Sequence, residues 1–326
     1  MARLVDPLPG HRLSLENIHE AGQVIDPVFL NSPQYTSEPL SIDLGCDLIL
    51  KVETTNPVRS FKGRGADYFL EKITARGDNR QLVCASTGNF GQAMAYACRA
   101  RGRSLIVYAD TNANPLKTGR IEQMGAELRL VGHDFDAAKQ AAKTYCEQSE
   151  AWMIEDGREP EISEGAGTIG LELTSRYRSI DFALIPLGNG ALINGVARWM
   201  KAASPDTNVI GVSATGATAM EVSWRSESIV EGESANTIAE GIAVRVPVPE
   251  AVSDMKDTVD DVVLVDDDAM LAAMKILHST AGLLLEPAGA AGIAALMLNH
   301  EKFAGARVVT VLTGSNMTAT QMRLWL

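Results

Sequence analysis

The 326 residues can fill one large domain or two ordinary ones, and a hydrophobic fraction of 46% supplies a sizeable core. Charged residues at 21%, with Gly and Pro spread along the chain, argue against disorder. A formal charge of −12 repels phosphate backbones and so excludes a nucleic-acid role, while leaving room for a local pocket that takes a small anion.

The opening residues, Met1 to Glu16, carry no apolar run of targeting type, and no charge-free stretch reaches spanning length. The cysteines Cys46, Cys84, Cys98 and Cys146 form no CxxC pair, and Cys84 and Cys98 lie in apolar stretches where a thiol serves as a small hydrophobe. A reduced, soluble, cytoplasmic protein is the expectation, with no membrane partner.

From Leu48 onward, short apolar runs alternate with helix-length amphipathic segments. A strand is expected to end near Glu53, followed by the loop of residues 56–65 and a helix resuming at Ala66. Lys62 then falls close to a helix N-terminus, where the dipole, burial and the neighbouring Arg64 all disfavour an ammonium. Such an amine suits Schiff-base chemistry, although a loop lysine taken alone is more often a solvated charge.

Leu82 to Ala85 reads as a buried strand and the Ala-rich stretch after Gly91 as a helix. Between them, Ser86, Thr87, Gly88, Asn89 and Phe90 place small hydroxyl residues and Gly at a strand-to-helix junction. Free backbone N–H groups there suit an anion such as a substrate carboxylate; plain N-capping by Ser86, Thr87 or Asn89 explains the residues equally well.

Further strands are predicted at Leu105 to Tyr108, Glu127 to Val131 and Trp152 to Ile154, with a helix ending near Gly125. The polar segment from Glu155 to Ser163 divides the units, with a boundary near Asp156. Gly165 to Gly170 matches GxGxxG. The stretch before it is charged and broken by Pro160, so a dinucleotide fingerprint lacks its preceding strand.

The strand Phe182 to Ile185 runs into Gly188, Asn189, Gly190, Ala191 and Leu192, a turn with a helix behind it; a phosphate cup and an ordinary tight turn are about even here. Strands at Val209 to Val212, Val262 to Val265 and Val308 to Leu312 complete the pattern, and Trp224 to Asn236 reads as a surface loop or loosely held helix. Glu286 leads into a helix that it could cap, and Val311 to Asn316 ends a strand where open α/β sheets bind ligands. The alternation marks βαβ units on parallel sheets, too many for one small sheet, which predicts two α/β lobes.

Taken in order, SFKGRGA, STGNFGQ, GAGTIGLE, PLGNGALINGV, AEGIAV, EPAGAAG and LTGSN resemble the fold-type II pyridoxal-phosphate enzymes, specifically the threonine and serine dehydratases. Residues 25–33 are similar to that family's opening, so the likeness spans almost the whole chain. It implies a tryptophan synthase β-like α/β fold of two lobes, each a mainly parallel twisted sheet flanked by helices. Residues 1–50 and 156–326 would form the large cofactor-binding lobe and 51–155 the small substrate-binding lobe, with no C-terminal regulatory domain.

The resemblance also implies roles. Lys62 would hold pyridoxal 5′-phosphate as a Schiff base and act as the catalytic residue, with Phe61 beside the ring. Asn89 would bond the phenolic oxygen, Gly188 to Leu192 would cradle the phosphate, and Ser315 would face the pyridine nitrogen. Gly241 and Glu286 would complete the cofactor wall. Ser86, Thr87, Gly88, Asn89 and Phe90 would face the substrate. The expected reaction is loss of water from threonine, serine or a bulkier β-hydroxy amino acid, giving a 2-oxo acid and ammonia.

Phe90 stands where the dehydratases usually carry His, which makes the pocket more apolar and favours a larger β-substituent. Ser213 and Ala219 offer no carboxylate where relatives often hold a divalent cation, so no metal is expected there. The family suggests a homodimer. Threonine synthase or an amino-acid racemase remain alternatives within the fold, as do a cofactor binder without turnover and, from another class, a nicotinamide-dependent dehydrogenase resting on the GxGxxG match alone.

Overall fold

The computed structural model describes residues 4–86 and 88–326. Its strands, in chain order, are β1 (Gln34–Thr36), β2 (Asp47–Val52), β3 (Leu82–Ala85), β4 (Leu105–Ala109), β5 (Glu127–Leu130), β6 (Trp152–Ile154), β7 (Phe182–Pro186), β8 (Asn208–Ala214), β9 (Asp261–Val265) and β10 (Arg307–Leu312). They form two sheets, one in the order β1-β2-β10-β7-β8-β9 and one in the order β5-β4-β3-β6. Every pairing is parallel except that of β1 on β2.

This is the α/β, mainly parallel two-sheet architecture expected from the alternation. The central strands β2, β7 and β10 are buried almost throughout and read as near-continuous apolar runs, as strands covered on both faces must. The edge strand β1 escaped the sequence pattern because it is three residues long and largely exposed, so it has no apolar alternation to display.

The helix Pro160–Arg176 runs between the helices Lys62–Ala75 and Ala191–Ala203 and binds the two sheets together. Pro160 does not interrupt it but opens it, at a position where the missing N–H is no loss. The GxGxxG run lies inside this helix. A Cβ at Gly165 would come within 2.7 Å of the Arg64 carbonyl, and one at Gly167 within 2.9 Å of the Gly195 carbonyl. These glycines exist to let three helices touch; a strand–turn–helix nucleotide site is absent at this segment.

Arg64, expected to depress the charge of Lys62, points the other way. It is fully buried and donates to Glu53 at 2.8 Å, to Glu172 at 2.6 Å and to Thr168 at 2.9 Å, while Lys51 also pairs with Glu172. Two carboxylates neutralise its guanidinium, so it exerts little field on the loop. Trp224 falls in the helix Ala219–Ser226, and an irregular segment follows it. The four cysteines are free thiols. Among the described residues no helix is long and apolar enough to cross a membrane.

Candidate active site

The C-terminal ends of β3 and β6 in one sheet face those of β7 and β10 in the other. Between them lies a cavity of about 550 Å³ lined by Lys62, Asn89, Phe90, Asp156, Gly188 to Leu192, Gly241, Glu286 and Thr313. Lys62 and Thr313, some two hundred and fifty positions apart, therefore meet where open parallel sheets present their ligand-binding edges.

Lys62 is the first residue of the helix Lys62–Ala75, which begins ahead of the predicted start at Ala66. The glycines that delayed the prediction are there for packing: a Cβ at Gly63 would strike the Phe29 ring, and one at Gly65 the Ile162 carbonyl. The Phe61 N–H donates to the Thr313 carbonyl at 3.0 Å, and Ser60 bridges Gly314, so the loop is stitched to the end of β10. Lys62 Nζ sits 4.5 Å from the Phe61 ring centroid and donates to Asp156 Oδ2 at 2.5 Å. The charge beside this amine is the Asp156 carboxylate rather than Arg64.

The turn after β7 leads into the helix Ala191–Ala203, with Gly190 at its N-cap and φ at +90°, a conformation that favours glycine. The backbone N–H groups of Gly188 to Leu192 find no acceptor among the described residues. Five free donors at a helix N-terminus form a site for an anion. Gly188 is pressed against the Gly241 carbonyl, leaving no room for a side chain, and Gly157 lies in the same way against the Asn189 carbonyl. Asp156 and Gly157 thus hold the amine and the anion cup side by side.

At the β3 junction the Ser86 hydroxyl oxygen accepts from the N–H groups of Gly88 at 3.2 Å and Gly91 at 2.9 Å, so Ser86 does the capping foreseen as the plainer explanation. Its proton remains available to an anion. Thr87 lies outside the described residues. Asn89 donates its amide to Glu286 and accepts from Asn316 at 2.8 Å, which fixes its side chain across the cleft. Phe90 is buried in the core of the smaller sheet and shows one side to the cavity.

Glu286 stands at the start of the helix Pro287–Leu298, buried and without a capping bond of its own. Burial raises its pKa, and Lys117 and Asn89 only partly offset that. Thr313 lines the cavity, whereas Ser315, two residues on, stands outside its lining with its N–H on the Arg59 carbonyl at 3.1 Å.

Sequence reasoning missed Asp156 as a site residue, and with it Lys117 and Glu240. Lys117 is buried; burial opposes its charge, but Glu286 and Glu240, the latter at 2.6 Å, outweigh that and raise its pKa. No motif marked Asp156 or Lys117, and Glu240 enters only as part of AEGIAV with no role of its own; each acquires its role across the cleft. The carboxyl of Asp156, two residues past the strand end at Ile154, was the one local signal available.

An amine and an anion cup on one cavity are what pyridoxal 5′-phosphate requires of a protein, an aldehyde partner and a phosphate partner, and the residues present fit it. The family model described as pyridoxal-phosphate dependent enzyme matches residues 25–314. An L-threonine ammonia-lyase of Thermotoga maritima is 32% identical over 94% of this chain and 76% of that protein. Among solved structures, processed threonine deaminase isoform 2 of Solanum lycopersicum superposes with a TM-score of 0.87 at 27% identity, covering 99% of this chain and 92% of that one. Maize serine racemase gives 0.89 at 26%, covering 96% of each.

Proposed function

The chain belongs to the pyridoxal-phosphate dependent enzyme family, and from that premise we propose that it removes water from a β-hydroxy amino acid to yield a 2-oxo acid and ammonia. The relatives named threonine dehydratase, threonine deaminase and threonine ammonia-lyase support that reaction class. Pyridoxal phosphate, its cofactor, supplies when bound an electron sink for the pair left at Cα when the α-proton departs.

In this reading Lys62 would hold the cofactor, and its Nζ would accept the α-proton of the substrate. The free N–H groups of Gly188 to Leu192 hold the phosphate. Ser86 and Gly88, with Thr87, orient the substrate carboxylate. Asn89, fixed by Glu286 and Asn316, would hold the ring's oxygen edge, Phe61 would pack beside the ring, and Gly241 would complete its surroundings. Phe90 shields the β-substituent from water. The enamine released by loss of water hydrolyses to the 2-oxo acid and ammonia.

The observation that carries this reading is the link through Asp156 and Gly157, one bonded to Lys62 and the other packed on the phosphate turn. The test is a screen of β-hydroxy amino acids for 2-oxo acid and ammonia, with Lys62→Ala as control. Lys62→Ala should lose both turnover and the near-visible absorbance of the bound cofactor. Formation of the opposite enantiomer without 2-oxo acid would move the assignment to a racemase, and no product from any such amino acid would overturn it. The same reading takes residues 1–50 and 156–326 as the large lobe, 51–155 as the small lobe, and the assembly as a homodimer, which sedimentation would check.

A further inference from the structure

We infer that Asp156 is a positioning residue for Lys62, holding the proton on the lysine nitrogen and aiming that nitrogen into the cavity both before and after it joins an aldehyde. The inference rests on the reading of Lys62 as the cofactor-bearing amine.

Asp156 follows the end of β6 and is 9% exposed. One carboxylate oxygen takes the Lys62 ammonium at 2.5 Å; the other is buried and has no hydrogen-bond partner among the described residues. Every other ionisable group on the cavity wall is answered elsewhere. Glu155 pairs with Lys139, and Arg245 with Asp136 at 2.5 Å. Lys117 pairs with Glu240 and lies 3.9 Å from Glu286, while Asp134 caps its helix through the Ala137 N–H. Among the described residues Lys62 is therefore the one cation that compensates Asp156, and Asp156 the one carboxylate that faces Lys62.

A buried carboxylate left without a cation is costly, so the contact at 2.5 Å favours a positively charged nitrogen beside Asp156. Condensation of the ammonium with an aldehyde forms a C=N bond and releases one water, and the nitrogen keeps one proton and its positive charge. The charge that Asp156 compensates is thus unchanged by the reaction. A protonated C=N carbon is also the better electrophile for an incoming amine. Gly157, with φ at +87°, itself lies against the Asn189 carbonyl. That contact sets Asp156, and through it the nitrogen, in register with the anion cup.

The test is the absorbance of the holoenzyme as a function of pH, which reports the proton on the Lys62 nitrogen without turnover. Wild-type enzyme should keep the protonated band through neutral and mildly alkaline pH. Asp156→Asn should move the midpoint down by about one to three pH units, the range an opposite charge in contact commands, and Asp156→Glu should restore it. A midpoint in Asp156→Asn equal to that of wild type would overturn the inference. So would a wild-type band that deprotonates near neutrality, which decides the matter even if the Asn variant does not fold. Absence of any band that Lys62→Ala abolishes would instead sink the underlying reading of Lys62.

Discussion

Glu286 and Lys117 face each other across the cleft at 3.9 Å, both buried, and Asn89 donates its amide to the same carboxylate. Glu286→Gln keeps an acceptor for Asn89, so its stability should stay within about 1 kcal/mol of wild type. Glu286→Ala strands the Asn89 amide and should cost about 2–3 kcal/mol. Urea unfolding of the two variants separates the outcomes; equal losses would show that the hydrogen bond carries little.

The turn after β7 tolerates no side chain at two positions. Gly190→Ala must adopt φ near +90°, costing about 1–2 kcal/mol. Gly188→Ala drives a methyl into the Gly241 carbonyl and displaces the cup. Cofactor retention on dialysis should weaken at least about tenfold, or some 1.4 kcal/mol, in Gly188→Ala. Undiminished retention would place the phosphate elsewhere.

Glu159, at the head of the helix Pro160–Arg176, has its pKa pushed up to about 7, chiefly by burial and secondarily by Glu161. A carboxyl raised in the folded state binds its proton more tightly there than in the unfolded chain. Its contribution is complete below the ordinary value of 4.5 and lost as pH rises through about 7. Glu159→Gln should remove that slope, leaving the variant more stable than wild type above neutrality by on the order of 1–3 kcal/mol. Parallel melting curves from pH 4 to 8 are the measurement.

Phe90 joins the core of the smaller sheet while facing the cavity. An apolar wall at that point favours a bulky β-substituent, so kcat/KM should be higher for phenylserine than for serine. Phe90→Ala should lower the phenylserine value and cost about 3 kcal/mol in stability. A clear preference for serine in the unmodified enzyme would count against this account of specificity.

The sheet strands and the ligand-bearing turns were legible in the amino-acid order for one reason. Each turn is a strand–loop–helix junction whose residues are set by local chemistry: an apolar run, then Gly or a small hydroxyl, then a helix. Lys62, Ser86, Gly188 to Leu192 and Thr313 all lie at such junctions, whereas Glu286 joins two helices. The helix at Lys62 was read late, and the glycines of residues 165–170 were read as a nucleotide motif to be dismissed. In both cases the glycines answer to neighbouring helices, a demand no local pattern expresses.

Local order along the chain therefore determined the α/β alternation, the two sheets and the turns that end their strands. The packing of one sheet against the other decided which charges meet: Lys62 with Asp156 across 94 positions, Lys117 with Glu240 across 123, and Asn89 with Glu286 across 197. Those pairings depend on the spacing and angle of the two lobes, which side chains hundreds of residues apart set together through burial, and no short stretch of residues carries that information.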